Sequence, residues 1–306
     1  MELSLKGLKI LIIGGDRREL ELFLHLRKLG AQVCMYGFNE GKPFDDKYLA
    51  RDLGEEIRRA NVIITPLNGI EADGQIYTPF YDGKIHVLDA VFQEYIQPGT
   101  LFIAGYINPL IEKLLEQKDV IVCGTREMDE ISILNAIPTA EGAIQVAMQN
   151  TDITIHNNHC FVLGFGRCGR VLAETLKGLG AIVTVVARRN EVLAWVQASS
   201  MKPLLLQNLA EGIKEADIIF NTIPSVVVDG EILLNVKHEA LIIDLATYPG
   251  GIDFDAAERR GIKTIVLPGL PGKVAPKTAG KILCQVYPYL IISALKGGKN
   301  YEFARD

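Results

Sequence analysis

The sequence is short of the residues from which metal centres and disulfide frameworks are built. Its five cysteines, Cys34, Cys123, Cys160, Cys168 and Cys284, form no CxxC pair and stand at irregular spacings. An odd set of this kind predicts reduced, mostly buried thiols in a reducing compartment. The five histidines, His25, His86, His156, His159 and His238, are scattered without an HExxH or comparable spacing, which predicts no protein-built metal site. Positive charge is scarce too: 32 Lys and Arg stand against 37 Asp and Glu, a formal charge of -5. A nucleic-acid-binding surface normally carries the opposite balance, although local Lys and Arg can still hold a small anion. Long apolar runs are also missing. Stretches such as Leu8–Ile13 and Ala240–Ile243 have strand length, far below the roughly 18 residues of a membrane span. The opening Met1-Glu2-Leu3-Ser4 has neither a basic n-region nor a small-residue cleavage site, so the expectation is a cytoplasmic protein that crosses no bilayer.

What is present is a globular composition, 48% hydrophobic and 23% charged, in 306 residues, which is too long for one ordinary α/β core and suits two. Strand-length apolar runs alternate with helical patterns from end to end. That alternation predicts an α/β protein of two doubly wound parallel-sheet domains. In the first half, Leu8–Ile13 leads through Gly14-Gly15-Asp16 into a helix with Leu20, Phe23, Leu24, Leu26 and Leu29 at apolar positions, ending at Gly30. Val33–Tyr36, Val62–Thr65, Ile85–Leu88, Leu101–Ala104 and Val120–Val122 read as further strands. The pattern changes at Ile137-Pro138-Thr139-Ala140-Glu141-Gly142 to a helix reaching about Asn150. Cys160–Leu163, Ile182–Val186, Ile218–Phe220, Ala240–Leu245 and Lys263–Leu267 then read as strands, and Leu283–Leu295 as a final apolar helix. The expected boundaries are 1–138 for a flavodoxin- or Rossmann-like substrate domain and 139–280 for a Rossmann dinucleotide-binding domain, with 281–306 folding back onto the first.

One stretch carries a specific signal. Phe161-Val162-Leu163 leads into Gly164-Phe165-Gly166-Arg167-Cys168-Gly169 and then a helix through about Gly178, which is strand, GxGxxG and helix in the order a dinucleotide turn requires. Gly164 permits the tight turn, Gly166 lets the pyrophosphate approach the backbone, and Gly169 lets helix and strand pack closely. The free N–H groups of the helix start then face the phosphate charge. The next strand ends in Ala187-Arg188-Arg189-Asn190, with no carboxylate where an NAD site usually places one for the ribose hydroxyls. Two guanidinium groups there suit a 2′-phosphate, so NADP is expected ahead of NAD, with a solvated basic turn as the alternative. Asn221, Thr222 and Pro224 follow one strand and Asp244 ends another. At strand ends of this fold they are candidates for ribose or nicotinamide contacts, set against ordinary turn and helix-cap roles.

A second group of residues points to an anionic substrate. Asp16 and Arg17 follow the first strand, Asn108 follows another, and Lys273 and Lys277 lie in Leu267–Ala279, which reads as a rigid Pro/Gly loop. Strand ends of doubly wound folds face the ligand crevice. Arg17 is therefore expected to hold a substrate carboxylate, with Lys273 or Lys277 contributing across a cleft between the domains; a surface charge at a helix start is the alternative. Gly14-Gly15 is not followed by a full fingerprint, which argues against a second nucleotide site.

Taken in order, Ile12-Ile13-Gly14-Gly15-Asp16, Ile137–Gly142, Leu163–Arg167, Asn221–Ser225, Asp244-Leu245-Ala246 with Pro249-Gly250-Gly251, and Pro268–Gly280 resemble the family of dipicolinate synthase A subunits from spore-forming bacteria. They span nearly the whole chain. The resemblance implies an NAD(P)-binding subunit that acts with the flavoprotein-like B subunit of dipicolinate synthase. Together they would oxidise a dihydrodipicolinate-type product of the lysine pathway to dipicolinate, in the mother cell during sporulation. A small dicarboxylate substrate suits Arg17, Asn108, Thr139, Lys273 and Lys277. Glu141 is the first candidate for proton removal and Asp16 the second, with Glu141 capping a helix start after Thr139 as the alternative. A homodimer is compatible with this reading. Two other readings stay open: an NADP-dependent 2-hydroxyacid or shikimate-type dehydrogenase, against which the lack of any His after His238 counts, and a non-catalytic subunit that binds NADP as an effector.

Overall fold

The computed structural model describes residues 3–39, 45–71, 73–87 and 89–297. The chain packs as two compact units, one made of the chain up to Ser132 together with the segment from Ala275 on, the other of Ile133–Val274. Each changeover falls six residues earlier than the sequence pattern places it. The first shifts because the helix Asp129–Asn150 runs unbroken through Ile137–Gly142, with Pro138 inside it, instead of starting there. The second shifts because the terminal helix already begins at Pro276, where a proline supplies its preset φ at a position whose N–H has no partner in the helix. Residues 298–306 of the expected fold-back segment lie outside the described residues.

In the first unit, β1 (Lys9–Ile13), β2 (Gln32–Tyr36), β3 (Val62–Ile64), β4 (Leu101–Ala104) and β5 (Ile121–Gly124) form a sheet in the order β2-β1-β3-β4-β5, every pair parallel. Central parallel strands are covered on both faces and so read as continuous apolar runs. One face packs Ile10, Ile12, Val33 and Met35 against Leu22, Phe23 and Leu26 of the helix Arg17–Lys28 and against Leu283, Val286 and Leu290 of the helix Pro276–Leu295. The other packs Leu11, Ile13, Ile63 and Phe102 against Ile57, Phe92, Ile111 and Leu115. The Pro276–Leu295 helix is long and apolar enough in composition to cross a membrane, yet half of that stretch is buried inside the protein. Each of its core side chains contributes about 1.5–3 kcal/mol by leaving water.

The run Ile85–Leu88 is not a sixth parallel strand. Ile85 and Val87 are buried, but their backbone pairs locally with Gly74–Ile76: Ile76 donates to the Ile85 carbonyl and Val87 to that of Gly74. Alternating burial therefore marks a short antiparallel pairing here. Leu88 itself lies outside the described residues.

In the second unit, β6 (His159–Leu163), β7 (Ile182–Ala187), β8 (Lys202–Leu205), β9 (Ile218–Asn221), β10 (Leu241–Asp244) and β11 (Lys263–Val266) form an all-parallel sheet in the order β11-β10-β9-β6-β7-β8. This is the Rossmann order. The chain starts at the central strand β6, builds outward to β8, and returns to the other side of β6 at β9. The crevice outside the carboxyl ends of β6 and β9 is the place where such folds bind ligands. The strand β8 was not legible in the sequence, because it is a half-exposed edge strand that carries Pro203.

Gly280 sits where the Pro276–Leu295 helix crosses the Arg17–Lys28 helix; a Cβ there would come 2.6 Å from Glu21 Cβ and 3.0 Å from the Arg18 carbonyl oxygen. Gly280→Val is expected to destabilise the first unit by about 1–3 kcal/mol through overpacking. Differential scanning calorimetry should show a lowered transition for that unit, with dinucleotide binding by the second unit retained below it.

Candidate dinucleotide site and the polar cluster of the first unit

At the carboxyl end of β6 the backbone turns at Gly164, with φ +96°, and enters the helix Arg167–Gly178 with Gly166 as its N-cap. The three glycines are required for different reasons. A Cβ on Gly164 would lie 2.5 Å from Thr222 Oγ1, and one on Gly169 would fall on the Gly164 carbonyl oxygen. Those two positions are closed by the chain's own packing. Gly166 has an ordinary extended backbone (φ -80°), and a Cβ there would meet nothing within 4 Å. Among the described residues nothing asks for glycine at this position. Gly166 brings no capping side chain, and a helix start carries partial positive charge. Open ground beside a helix start without a side-chain cap is what a pyrophosphate needs, and the residues present fit a dinucleotide. Phe165 packs against the core of the second unit. Cys168 is half-buried, and burial pushes its thiol up to about 11, so it stays neutral.

At the carboxyl end of β7, Arg188 and Arg189 are exposed, and Arg189 Nη1 lies 3.2 Å from Glu191 Oε1. An exposed pair of this kind is weak and can open for a better anion. The ends of β9 and β10 hold Asn221 and Asp244, which are register partners and almost fully buried. Asn221 Nδ2 donates to Asp244 Oδ1 at 2.8 Å and to the Ile223 carbonyl at 3.0 Å, and Asn221 Oδ1 accepts from the Ile223 N–H at 3.1 Å. Asp244 also accepts from the Ala246 and Gly251 amides, both at 2.9 Å. The polar atoms of this pair are spent on the protein, so the direct ribose or nicotinamide contacts expected of Asn221 and Asp244 give way to a framing role. The pair holds the loops after β9 and β10 in place. Thr222 Oγ1 donates to the Leu163 carbonyl at 2.8 Å and ties the β9 loop to the end of β6, while Pro224 is exposed in that loop.

Comparison with known proteins fits this geometry. Residues 9–125 match the family model for the N-terminal domain of the dipicolinate synthase A subunit, and residues 135–270 match that of the S-adenosyl-L-homocysteine hydrolase NAD-binding domain. The dipicolinate synthase A subunit of Bacillus subtilis (strain 168) is 37% identical over 288 residues, covering 94% of this chain and 97% of that one. The chain belongs to the family of dipicolinate synthase A subunits. The crystal structure of the Bacillus halodurans A subunit superposes with a TM-score of 0.87 at 35% identity, covering 94% of this chain and 99% of that one. A transhydrogenase from Sinorhizobium meliloti shares the fold alone, with a TM-score of 0.65 at 18% identity over 93% of this chain and 96% of that one.

The first unit of this family member carries the other strand–glycine–helix turn, and it is finished differently. Gly14 and Gly15 have φ +66° and +104°, and a Cβ on Gly15 would come 2.5 Å from Glu19 Cγ. Glu19 uses that space: its Oε2 accepts from the Asp16 N–H at 2.8 Å while Asp16 Oδ1 accepts from the Arg18 N–H at 2.9 Å. The start of the Arg17–Lys28 helix is thus filled by its own capping box, which leaves no room for a phosphate. Arg17 is exposed, whereas Arg18 is buried. A signal for this was present: residues 18, 22 and 26 share one helix face, so Arg18 stands on the apolar stripe of Leu22 and Leu26. Arg18 Nε and Nη2 donate to the two Asp16 oxygens at 2.9 and 2.8 Å, and Nη2 also to Asn68 Oδ1 at 2.8 Å. Burial pushes the Glu19 carboxyl up to about 7, against the downward pull of the Arg18 guanidinium. Asp16, committed to the cap and to Arg18, is not a free base.

The remaining expected substrate residues divide between the units, Asn108 and Lys277 in the first and Thr139, Glu141 and Lys273 in the second. Asn108 caps the helix Pro109–Glu116, its Oδ1 accepting from the Leu110 N–H at 2.8 Å. Thr139 donates to the Asn135 carbonyl at 2.8 Å inside the Asp129–Asn150 helix. Glu141 is exposed in the middle of that helix, which removes its capping alternative. Leu267–Ala279 is not a continuous loop. Lys273 is exposed on the short helix Leu270–Val274 of the second unit, and Lys277 is exposed in the first turn of the terminal helix of the first unit.

Gly166→Val is expected to leave thermal unfolding nearly unchanged and to weaken dinucleotide binding at least about tenfold, or ~1.4 kcal/mol, in a fluorescence titration. Gly169→Val, by contrast, should unfold the second unit. A pH series tests Glu19. Its folded value lies above the ordinary 4.5, so its protonated form is the one the fold favours, and that contribution is lost as pH rises towards and through about 7. The melting temperature of Glu19→Gln relative to the natural chain should therefore rise between about pH 5 and pH 8.

Proposed function

We propose that the protein is the dinucleotide-binding subunit of an enzyme that oxidises a dihydrodipicolinate-type intermediate to dipicolinate. It acts with a flavoprotein-like second subunit during sporulation and uses NADP in preference to NAD. The observation that carries the reading is Gly166, a glycine at a helix start without a side-chain cap, whose missing side chain leaves space that no described residue fills. Membership of the family of dipicolinate synthase A subunits supports the substrate class.

The backbone amides that open the Arg167–Gly178 helix hold the pyrophosphate, and Gly164 and Gly169 keep that helix close enough to β6 to present them. Arg188 and Arg189 bind the 2′-phosphate, with Arg189 exchanging its exposed contact to Glu191 for the phosphate. The Asn221–Asp244 pair and the Thr222 hydroxyl fix the loops on the nicotinamide side. The bound nicotinamide supplies a hydride acceptor. Oxidation of a dihydropyridine also releases a proton, and the aromatic product supplies much of the driving force. One exposed carboxylate such as Glu141 is then sufficient as base.

The reading is tested by mixing. Reduction of NADP with the lysine-pathway intermediate is followed with this chain alone, with the second subunit alone and with both; turnover is expected only where this chain is present. Turnover by the second subunit alone, at the rate of the mixture, makes this chain a non-catalytic NADP-binding partner. On cofactor choice, a charge-assisted contact to the 2′-phosphate contributes about 1.5–3 kcal/mol. NADP should therefore bind roughly ten- to a hundredfold tighter than NAD. Replacing both Arg188 and Arg189 with Ala should abolish that ratio in equilibrium titrations.

A further inference from the structure

We propose that the crevice of the first unit between Gly14–Glu19 and Thr65–Asn68 is a carboxylate-binding site, with Arg18 as its cation. The inference deepens the functional reading above, because a dicarboxylate substrate needs such a site; its own basis is the geometry of the first unit.

The sheet order β2-β1-β3-β4-β5 means that the chain leaves β1 for β2 on one side and comes back for β3 on the other. The loops after β1 and β3 therefore diverge, and doubly wound sheets bind ligands in the gap this makes beyond the strand ends. Gly14–Glu19 is the loop and helix start after β1, and Thr65–Asn68 is the loop after β3. Two side chains stitch these loops together across the gap: Arg18 donates to Asn68 Oδ1, and Glu19 Oε1 accepts from the Leu67 N–H at 3.1 Å. These contacts fix the two loops against each other.

The second observation is the guanidinium itself. The Arg18 side chain is only 4% exposed. Its Nε and Nη2 are used by Asp16 and Asn68, and among the described residues no acceptor meets Nη1. Among the described residues Nη1 is not one of the fully buried polar atoms without a partner, and Glu19 and Tyr287 are the other titratable groups beside the guanidinium. The result is a cation locked in orientation by a bidentate carboxylate, with two N–H groups that meet no acceptor among the described residues. Such a group binds a carboxylate without ordering a flexible side chain, which is why a preset arginine is a better anion clamp than an exposed one. Arg17, one residue away, is exposed and has no such frame.

The helix start does not compete for the anion, because Asp16 and Glu19 already occupy its amides. Asn68 is exposed at the rim of the crevice and can be altered without disturbing a packed side chain. Asn68→Asp places a second carboxylate against the guanidinium.

The test uses the full chain and equilibrium titration by calorimetry or ligand-observed NMR, with pyridine-2,6-dicarboxylate, pyridine-2-carboxylate and succinate as probes. At least one probe is expected to bind, and Asn68→Asp and Arg18→Lys should each weaken it by about tenfold or more, the scale of one lost charge-assisted contact. Dinucleotide titration of each variant, and the unfolding transitions of Asn68→Asp and Arg17→Ala, serve as controls and should stay close to those of the natural chain. Arg18→Lys removes a buried fork and can lower stability; Asn68→Asp, at the rim, carries the test in that event. Arg17→Ala should weaken binding by less than about threefold, as expected for a screened surface charge. The proposal is overturned if none of the three carboxylates binds, if a folded Asn68→Asp chain binds as the natural one does, or if Arg17→Ala loses as much as Arg18→Lys. If succinate binds with the expected mutational pattern and the pyridine dicarboxylate does not, the carboxylate site stands and the dipicolinate reading of the function falls.

Discussion

A helix that follows a parallel strand begins with amides that no residue of the helix can satisfy, and the two units of this protein are organised around opposite answers to that constraint. In the first, the chain answers itself. Asp16 caps the Arg17–Lys28 helix, Glu19 returns to the Asp16 amide, and Gly15 exists to give the Glu19 side chain its space. In the second, Gly166 offers no cap and leaves open ground beside the Arg167–Gly178 helix. Two strand–glycine–helix turns that look alike on paper thus differ in that one is filled by its own capping box and the other carries no capping side chain.

Buried polar groups do parallel work in the two sheets. Each sheet reverses direction beside its first strand, and each spends hydrogen bonds on fixing the loops that part there. In the first unit, Arg18 and Glu19 reach from the loop after β1 to Asn68 and Leu67 after β3. In the second, Thr222 ties the loop after β9 to Leu163 at the end of β6, and Asn221 with Asp244 ties it to the loop after β10. A buried carboxylate or amide is costly unless its hydrogen bonds are met, and meeting them across two loops fixes both. The first unit does this with charges, at the expense of a carboxyl raised to about 7. The second does it mostly with an amide and backbone N–H groups.

The fold was largely legible because its physical basis is local and repetitive. Continuous apolar runs of strand length, separated by helical patterns, allow few architectures other than parallel sheets covered on both faces. The places where that reading slipped share a cause, which is that burial and element type were decided by distant partners. Ile85 and Val87 are as apolar as a strand, but their backbone found Gly74–Ile76 first. Pro138 and the prolines of Leu267–Ala279 looked like breaks, yet Pro138 lies inside one helix and Pro276 opens another. The edge strand β8, half exposed and carrying Pro203, had too little apolar character to announce itself.

The sequence by itself determined the two α/β units, the GxGxxG turn between strand and helix, and the family to which the chain belongs. Those features depend on residue type in a fixed local order, which is what a sequence records. Only the tertiary structure decided which polar side chains remain available to a ligand. Asn221 and Asp244, twenty-three residues apart, become hydrogen-bond partners because β9 and β10 are neighbours in register, and so are spent on each other. Arg18, and not Arg17, is held by Asp16 and by a loop fifty residues away, because the helix turns one of two adjacent arginines into the core. Whether a polar atom is free is a property of everything packed around it, and that is set by the fold.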